Sequence, residues 1–306
     1  MTNVLPTGVP VCYRHPGRET YVRCTRCDRP ICPDCMRSAS VGHQCPECVA
    51  EGRRAQRPTR TAFGGGVAGR RGYVTMTLIA INVLMLLISL ASAKNGPQAL
   101  GGQGFAGLIG GDTPLLDKLG VIGEFKVGQN GPVFPFGISD GQYYRLFTAM
   151  FMHFGILHLL LNMYALWVLG RTLESFLGPL RFLGLYLVAG IGGDVAAYLF
   201  QPADLSAGAS TALFGMFAAL FLVLRKLGLN ATAVLPIILI NLLFTLSVPG
   251  ISIAGHLGGF VTGAVVGAGL AYAPRKNRGL IQIAVIVGAV VVLGGLSLWQ
   301  TTQITG

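Results

Sequence analysis

An apolar stretch from Gly208 to Lys226 reads GASTALFGMFAALFLVLRK and holds its polar residues at its two ends. Ser210 and Thr211 lie near its beginning, and Arg225 precedes the closing lysine. A run of this length is sufficient for an α-helix to cross the ~30 Å hydrocarbon core of a bilayer. The stretch therefore predicts a membrane-spanning helix with a serine near one face of the membrane.

The rest of the chain has the same apolar character. The mean hydropathy is +0.61, and 52% of the 306 residues are hydrophobic while 11% are charged. This composition excludes an ordinary water-soluble domain and predicts an all-α polytopic membrane protein. We expect no removable signal peptide, because the chain begins with a polar, Cys-rich segment. Seven spans are predicted, at about 74–93, 153–171, 178–200, 208–226, 231–248, 253–273 and 279–299.

Among the short connections between these spans, lysine and arginine fall in alternate ones. They occur before the first span, between the second and third, after the fourth and after the sixth, whereas segments 201–207 and 249–252 contain neither. The positive-inside rule then predicts a cytoplasmic N-terminus and, after seven spans, an extracytoplasmic C-terminus. The formal net charge of +11 reflects this topology, so we expect contact with the lipid bilayer and no nucleic-acid partner.

All seven cysteines lie in a head formed by residues 1–50. With one histidine they form four pairs, each with two intervening residues: Cys12 and His15, Cys24 and Cys27, Cys32 and Cys35, Cys45 and Cys48. Eight such ligands suffice for two tetrahedral Zn²⁺ ions. An odd cysteine count on a reducing cytoplasmic side argues against disulfides. Both ions are predicted to be structural, because no coordination position remains for water.

The ligand pairing is left open by the spacing. A cross-braced arrangement, in which the first and third pairs hold one ion and the second and fourth hold the other, is favoured over a sequential one, and His43 is a ninth candidate ligand. The head resembles a B-box-like zinc finger but departs from it in ending on cysteines. We expect it to contact a cytoplasmic protein partner or to have a regulatory role. Residues 51–72, rich in Arg, Gly and Pro, are predicted to be a flexible linker before a membrane domain at 73–306.

Polar residues in the spans are predicted to lie at one depth. Given the topology, Ser210, His256, His158 and Asn162 all fall in the outer half of the bilayer. His158 and Asn162 are four residues apart and share a helix face. His153 lies off that face, so we expect it to fix the loop that enters the helix. Because polar side chains in hydrocarbon are costly, their convergence indicates a site.

The local sequences around these residues resemble the rhomboid family of intramembrane serine proteases. The resemblance covers about residues 73–273 and rests on three motifs: the His-x4-His-x3-Asn run from His153 to Asn162, the Gly-x-Ser segment ending at Ser210, and Ala-Gly-His-Leu-Gly-Gly around His256. It implies a six-helix core with one additional C-terminal helix. It also implies a long exterior loop between the first two spans, here residues 94–142.

The resemblance also implies a role for each matching residue. Ser210 corresponds to the nucleophile and His256 to its general base, with no cofactor for catalysis. His158 and Asn162 correspond to oxyanion-stabilising side chains. Three further residues correspond to positions that shape the site: Gly208, Phe214, which is expected to pack on the His256 ring, and Thr211. The last departs from the glycine usual after the nucleophile, and a β-branched residue there is expected to narrow the space beside Ser210.

Two further expectations concern the helices themselves. Gly255, Gly259, Gly263 and Gly267 form a small-residue stripe on the sixth span, which we predict to meet the Gly208 end of the fourth span. Asp194, a carboxylate deep within the third span, is a candidate third catalytic residue, although a structural role is favoured.

The predicted function is cleavage of transmembrane segments of membrane-protein substrates, near the extracytoplasmic face of a bacterial plasma membrane, by a Ser-His dyad. Two alternatives remain. One is an inactive rhomboid-like protein that binds membrane substrates without cutting them. The other is a metal or proton transporter that would use His153, His158, Asn162, Asp194 and His256.

Overall fold

The structure, a computed structural model, describes residues 8–56, 59–67, 72–93, 111, 113–126, 133–248 and 250–306. It divides the chain into two compact units, Met1–Thr59 and Arg60–Gly306. Residues 94–110, 112 and 127–132 of the predicted exterior loop lie outside the described residues, as do 57–58 and 68–71 of the predicted linker.

The first unit is a small domain with very short secondary-structure elements. Strands β1 (Val11–Cys12) and β2 (His15–Glu19) pair antiparallel, as do β3 (Arg37–Ser38) and β4 (His43–Gln44). Helix α1 (Pro46–Ala55) follows, and the Cys45 side chain caps it by accepting from the Cys48 N–H. Apart from Ile31, the buried apolar core of this unit consists of cysteines. A core this small does not sustain a fold without metals or disulfides.

The described part of the second unit contains seven apolar helices, which confirms the predicted polytopic all-α fold. Five of them are long and apolar enough to cross a membrane, whereas Ser210–Lys226 and Leu235–Ser247 are shorter. The fifth predicted span begins with a 3-10 turn (Ala231–Val234), and the second predicted span becomes helical at Ile156 rather than at residue 153. The helices are α2 (Tyr73–Ser92), α5 (Ile156–Leu177), α6 (Pro179–Phe200), α7 (Ser210–Lys226), α8 (Leu235–Ser247), α9 (Ile253–Tyr272) and α10 (Arg278–Thr305).

Between α2 and α5, the described residues form a loop that packs beside the segment before α7. It contains α3 (Pro114–Leu119), a hairpin of β5 (Glu124–Lys126) and β6 (Val133–Pro135), and α4 (Arg145–Thr148). Val121 and Ser206 exchange two backbone hydrogen bonds of 2.8 and 2.9 Å. The loop thereby holds the segment that leads into α7.

The helix ends follow from local chemistry. Glu174 of α5 is fully buried and accepts hydrogen bonds from the Val74 N–H, the Thr75 N–H and the Thr75 hydroxyl, so a carboxylate caps the N-terminus of α2. Helix α5 ends at Gly178, whose φ of +85° is a conformation that glycine favours, and Pro179 begins α6.

The predicted linker differs from the structure at both ends. Residues 51–55 belong to α1, and residues 60–66 form a turn packed against the membrane helices. Phe63 in this turn is buried, and Arg278 donates to the Ala62 carbonyl at 2.9 Å. The linker sequence indicated flexibility because it has few apolar residues. The burial of one phenylalanine and the hydrogen bond to a backbone carbonyl nevertheless hold the turn in place.

Candidate active site and metal clusters

Ser210 and His256 are brought together by two helix starts. Ser210 is the first residue of α7, and His256 lies on the first turn of α9. The His256 Nε2 atom is 2.8 Å from the Ser210 Oγ atom. His256 is 7% exposed, so its ring is largely shielded from the surroundings. A serine hydroxyl bonded to an imidazole nitrogen is the arrangement that can activate an oxygen nucleophile.

The close approach of α7 and α9 depends on glycines, as predicted. A Cβ atom on Gly259 would overlap the Thr211 carbonyl oxygen, and one on Gly263 would overlap the Gly215 backbone. Because side chains are absent at these positions, the helix backbones are in direct contact. The predicted contact between the two faces is therefore confirmed.

The His256 ring is held on two sides. The Phe214 ring, one turn after Ser210, stacks on it with a centroid distance of 4.3 Å and an interplanar angle of 15°. The Thr245 Oγ1 atom of α8 lies 2.7 Å from His256 Nδ1. The Phe214 contact was expected, whereas the sequence analysis did not identify Thr245. A threonine in a membrane helix ordinarily bonds its own backbone and carries no further signal.

Gln201, at the end of α6, fixes the start of α9. Its Oε1 atom accepts hydrogen bonds from the Ser252 hydroxyl (2.8 Å) and from the Ala254 N–H (3.2 Å). Ser252 caps α9 by accepting from the Gly255 N–H. The helix turn that carries His256 is therefore anchored to a neighbouring helix.

Gly208 lies in close contact with the His158 ring and near Ser210. A Cβ atom at Gly208 would lie 2.9 Å from His158 Nε2, which is too close, and 3.5 Å from Ser210 Oγ. The Gly208 φ of +130° also favours glycine. The absence of a side chain at Gly208 therefore lets the His158 imidazole lie close to the backbone that leads into Ser210.

His158 and Asn162 lie on α5, on the face that reaches Gly208. The Asn162 Nδ2 atom donates to the His158 carbonyl oxygen at 2.8 Å. His153 is buried, its ring nitrogens have no hydrogen-bond partner among the described residues, and its ring meets the His158 ring edge-on at 5.1 Å. His153 therefore contacts the site by packing and not by a hydrogen bond.

Thr211 does not crowd Ser210. It is the second residue of α7 and has an ordinary helical backbone conformation. Its side chain faces α6 and α9, where Gly193 and Gly255 leave room for it. The expectation of a narrowed space beside the serine was wrong, because the side chain of the next helical residue points about 100° away.

Asp194 is fully buried on α6, and its carboxyl group faces the Thr211 side chain. The His256 Nδ1 atom is bonded to Thr245 instead. The structure therefore offers no contact for Asp194 as a third catalytic residue, in keeping with the structural role that was favoured.

The family comparison agrees with this geometry. Residues 140–273 match the rhomboid domain family. The chain contains a rhomboid domain. All the residues of the site just described lie within these boundaries, including Ser210, His256 and His158. The resemblance drawn from the sequence motifs is thereby confirmed for this segment.

Several curated relatives share the rhomboid domain. Rhomboid protease GluP of Bacillus subtilis is 39% identical over 165 residues, which is 49% of this chain and 32% of that protein. RHOMBOID-like protein 6, mitochondrial, of Arabidopsis thaliana is 34% identical over 179 residues, 55% of this chain and 54% of the relative. RHOMBOID-like protein 7 is 32% identical over 195 residues, 60% and 58% of the two chains. This chain therefore spans less than two thirds of the length of these relatives.

Two clusters of metal-ligand side chains lie in the first unit, outside the rhomboid domain. One contains Cys12, His15, Cys32 and Cys35, and the other contains Cys24, Cys27, Cys45 and Cys48, with the ligand atoms of each within 4.8 Å of one another. These are the two groups that the cross-braced arrangement requires. His43, the ninth candidate, belongs to neither.

The distances within the clusters suit a tetrahedral ion. His15 Nδ1 is 3.7, 3.2 and 3.4 Å from the sulfurs of Cys12, Cys32 and Cys35, and the Cys27 and Cys45 sulfurs are 3.8 Å apart. Tetrahedral zinc with ordinary bond lengths would give about 3.5 Å for nitrogen to sulfur and about 3.8 Å for sulfur to sulfur. The donor set and its spacing therefore fit a metal.

The surroundings of the clusters favour thiolates at several positions. Burial opposes ionisation of Cys12 and Cys24, but hydrogen bonds from backbone N–H groups lower the pKa of each thiol to about 6. The Arg29 guanidinium donates to the Cys27 sulfur at 3.3 Å and lowers the pKa of that thiol. Since a metal binds the deprotonated sulfur, these contacts prepare the ligands.

Proposed function

We propose that this chain is an intramembrane serine endopeptidase that cleaves transmembrane segments of membrane proteins near the extracytoplasmic face. The observation that carries the proposal is the 2.8 Å hydrogen bond between His256 Nε2 and Ser210 Oγ. The names of the relatives, among them a rhomboid protease with 39% identity, support the same reaction class.

The proposed reaction begins with attack of Ser210 Oγ on the scissile carbonyl carbon while His256 Nε2 takes the hydroxyl proton. The carbonyl π electrons move to the oxygen, and the tetrahedral intermediate collapses as His256 returns the proton to the leaving amine. Water then attacks the acyl-Ser210 ester with His256 again as the base. A carboxylic acid is released and the Ser210 hydroxyl is restored.

Three groups are suited to stabilise the negative oxygen. His158 Nε2 lies beside the Gly208 backbone, two residues before Ser210. Asn162 can donate once its Nδ2 atom leaves the His158 carbonyl. The start of α7 has no side-chain cap among the described residues, so backbone N–H groups at Ser210 and the helix dipole are directed at the same region. Such donors typically contribute several kcal/mol to a transition state.

The orientation of the chain is part of the proposal. The positive-inside pattern supports a cytoplasmic first unit and places the Ser210 end of α7 and the His256 end of α9 on the extracytoplasmic side. A bacterial plasma membrane suits this arrangement. Polar groups near the outer ends of helices can be reached by the water that deacylation requires.

Covalent labelling tests the proposal against both alternatives. In membranes that contain the full chain, a fluorophosphonate probe should label the wild-type protein and fail to label Ser210→Ala and His256→Ala. Ser247→Ala is the matched control, because Ser247 is an exposed serine bonded to the Leu243 carbonyl, and it should label normally. Labelling that persists in Ser210→Ala would reject the proposal.

The same variants separate the remaining alternatives. An inactive substrate-binding protein would give no labelling in any variant. A transporter would show metal or proton flux that survives Ser210→Ala and falls with His158→Ala. Within the described part of the chain, the side chains grouped closely enough to hold a metal are the two clusters of the first unit, so the membrane helices offer little support for metal transport.

We also propose that each cluster of the first unit holds one structural Zn²⁺, and that this unit contacts a cytoplasmic partner. Purified full-length protein should contain two zinc ions per chain by elemental analysis. Cys45→Ser should remove about one of them and make residues 8–56 sensitive to protease, because the apolar core alone is too small. His43→Ala, two residues away but outside both clusters, should retain both. Unchanged zinc content in Cys45→Ser would contradict the assignment.

A further inference from the structure

Thr245 occupies an unusual position for a polar residue in a short membrane helix. Most side chains of α8 face outward, and neighbouring Leu243 and Leu246 are 54% and 58% exposed. Thr245 is the buried residue of this helix, at 2% exposure. The inward-facing side chain of α8 therefore carries a hydroxyl group, and the oxygen of this group lies 2.7 Å from His256 Nδ1.

The direction of this hydrogen bond follows from counting protons. Thr245 Oγ1 also lies 2.8 Å from the Asn241 carbonyl oxygen, which can only accept. The single hydroxyl proton is therefore donated to Asn241, and the oxygen offers a lone pair to His256. For the bond at Nδ1 to form, that ring nitrogen must carry a proton.

The state of the other ring nitrogen then follows. A neutral imidazole has one N–H, so a proton on Nδ1 leaves Nε2 with a free lone pair. Nε2 is the atom 2.8 Å from Ser210 Oγ. In this series of hydrogen bonds every donor is matched to an acceptor: Ser210 donates to His256, His256 to Thr245, and Thr245 to the Asn241 carbonyl oxygen. The serine proton is thus directed at the base.

We infer that Thr245 is a positioning residue that holds His256 in the Nδ1–H tautomer, the form able to accept the Ser210 proton. Its consequence for catalysis rests on the proposed function. Once Nε2 has taken the proton, the Nδ1–H bond to Thr245 persists, so the imidazolium keeps a partner for each N–H. Thr245 fills the orienting place that a carboxylate holds in a Ser-His-Asp triad, but with a neutral oxygen.

A purely structural role for Thr245 would look different. Ser247 on the same helix donates to the Leu243 carbonyl at 2.7 Å, which is the ordinary bond of a hydroxyl to its own helix. Thr245 makes the equivalent bond and in addition accepts from another helix. The second bond is the feature that requires explanation, and it is directed at the base.

Kinetics of the full chain in lipid vesicles test the inference. Thr245→Val keeps the shape of the side chain and removes the oxygen, so kcat should fall about tenfold, the effect of one lost buried hydrogen bond. KM should be unchanged, because the hydrogen bonds of the Thr245 side chain go to its own helix and to the His256 Nδ1 atom, on the side of the ring away from Ser210. Thr245→Ser should restore most of the rate, and Ser247→Ala should have no effect. Wild-type kcat in Thr245→Val would overturn the inference.

A spectroscopic measurement gives a result that does not depend on proteolysis. In protein labelled with ¹⁵N-histidine, with the His256 signals assigned by their loss in His256→Ala, wild-type Nδ1 should be protonated and Nε2 unprotonated. In Thr245→Val the two tautomers should become mixed. A wild-type Nε2–H tautomer would overturn the inference. If the tautomer is as expected but fluorophosphonate labelling fails, the positioning role stands and the proposed function does not.

Discussion

Gly259→Val is expected to abolish proteolysis. Any side chain at Gly259 is directed into the backbone of Thr211, since even a Cβ atom would lie 2.8 Å from the Thr211 carbonyl carbon and closer still to its oxygen. To relieve this overlap, α9 must move away from α7 immediately beside Ser210. A displacement of about 1 Å at a reacting group can cost about a hundredfold in rate, and valine requires more than this.

A graded series distinguishes separation of Ser210 and His256 from general unfolding. Gly259→Ala should lose about a hundredfold in kcat. Gly267→Ala, two turns further along the same stripe, meets Ala219 at 2.8 Å and should lower the thermal unfolding temperature with a smaller effect on kcat. Gly294→Val on α10 has open space around it and should affect neither. Full activity in Gly259→Ala, measured on a membrane-protein substrate in vesicles, would contradict the role of this contact.

Gly208→Ala is expected to lower kcat by about a thousandfold. The new methyl group would overlap the His158 ring, since it would lie 2.8 Å from the ring's Cε1 atom. The ring would have to turn away, which removes an oxyanion donor, an effect worth about 10² to 10³ in rate. The positive φ at Gly208 adds about 1 to 2 kcal/mol of backbone strain for a residue with a Cβ.

Gly141→Ala separates the two effects of that substitution. Gly141 also has a positive φ, of +84°, but nothing lies near its Cβ position. This variant should therefore lose a similar amount of stability and keep its kcat. Equal loss of kcat in both variants would show that backbone strain, and not the occupied space beside His158, is responsible. The measurement is kcat together with the thermal unfolding temperature for each variant.

The sequence was sufficient to predict the membrane fold because span length and apolar composition are local properties. The same holds for the approach of α7 and α9, since glycines at four-residue intervals mark one helix face irrespective of the partner. For the eight metal ligands, the sequence favoured the cross-braced over the sequential pairing but left both open. Their final arrangement depends on how the segments around Cys24 and Cys32 fold, which spacing does not specify.

Contacts between distant residues were harder to predict. Thr245 is indistinguishable in the sequence from other hydroxyl residues of membrane helices, because its partner His256 lies on another helix. The importance of Gly208 was predicted, but its contact with the His158 ring depends on how α5 is placed. For Thr211, the error came from judging residue size without the direction of the side chain on the helix.

Helix α10 has a consequence for the smallest chain that can fold. Near one end, the Gln282 side chain accepts a hydrogen bond from Arg181 Nε and donates one to the Leu270 carbonyl oxygen. Near the other end, Thr301 donates to the Ser297 carbonyl, so it accepts from the hydroxyl groups of Tyr143 and Tyr198. In a chain shortened to residue 273, the donor groups of Arg181, Tyr143 and Tyr198 would lose their acceptors on α10. Lipid hydrocarbon offers no acceptor in their place. The additional helix therefore belongs to the packed helical unit although it lies outside the matched residues 140–273, and a shortened chain has to retain it in order to fold.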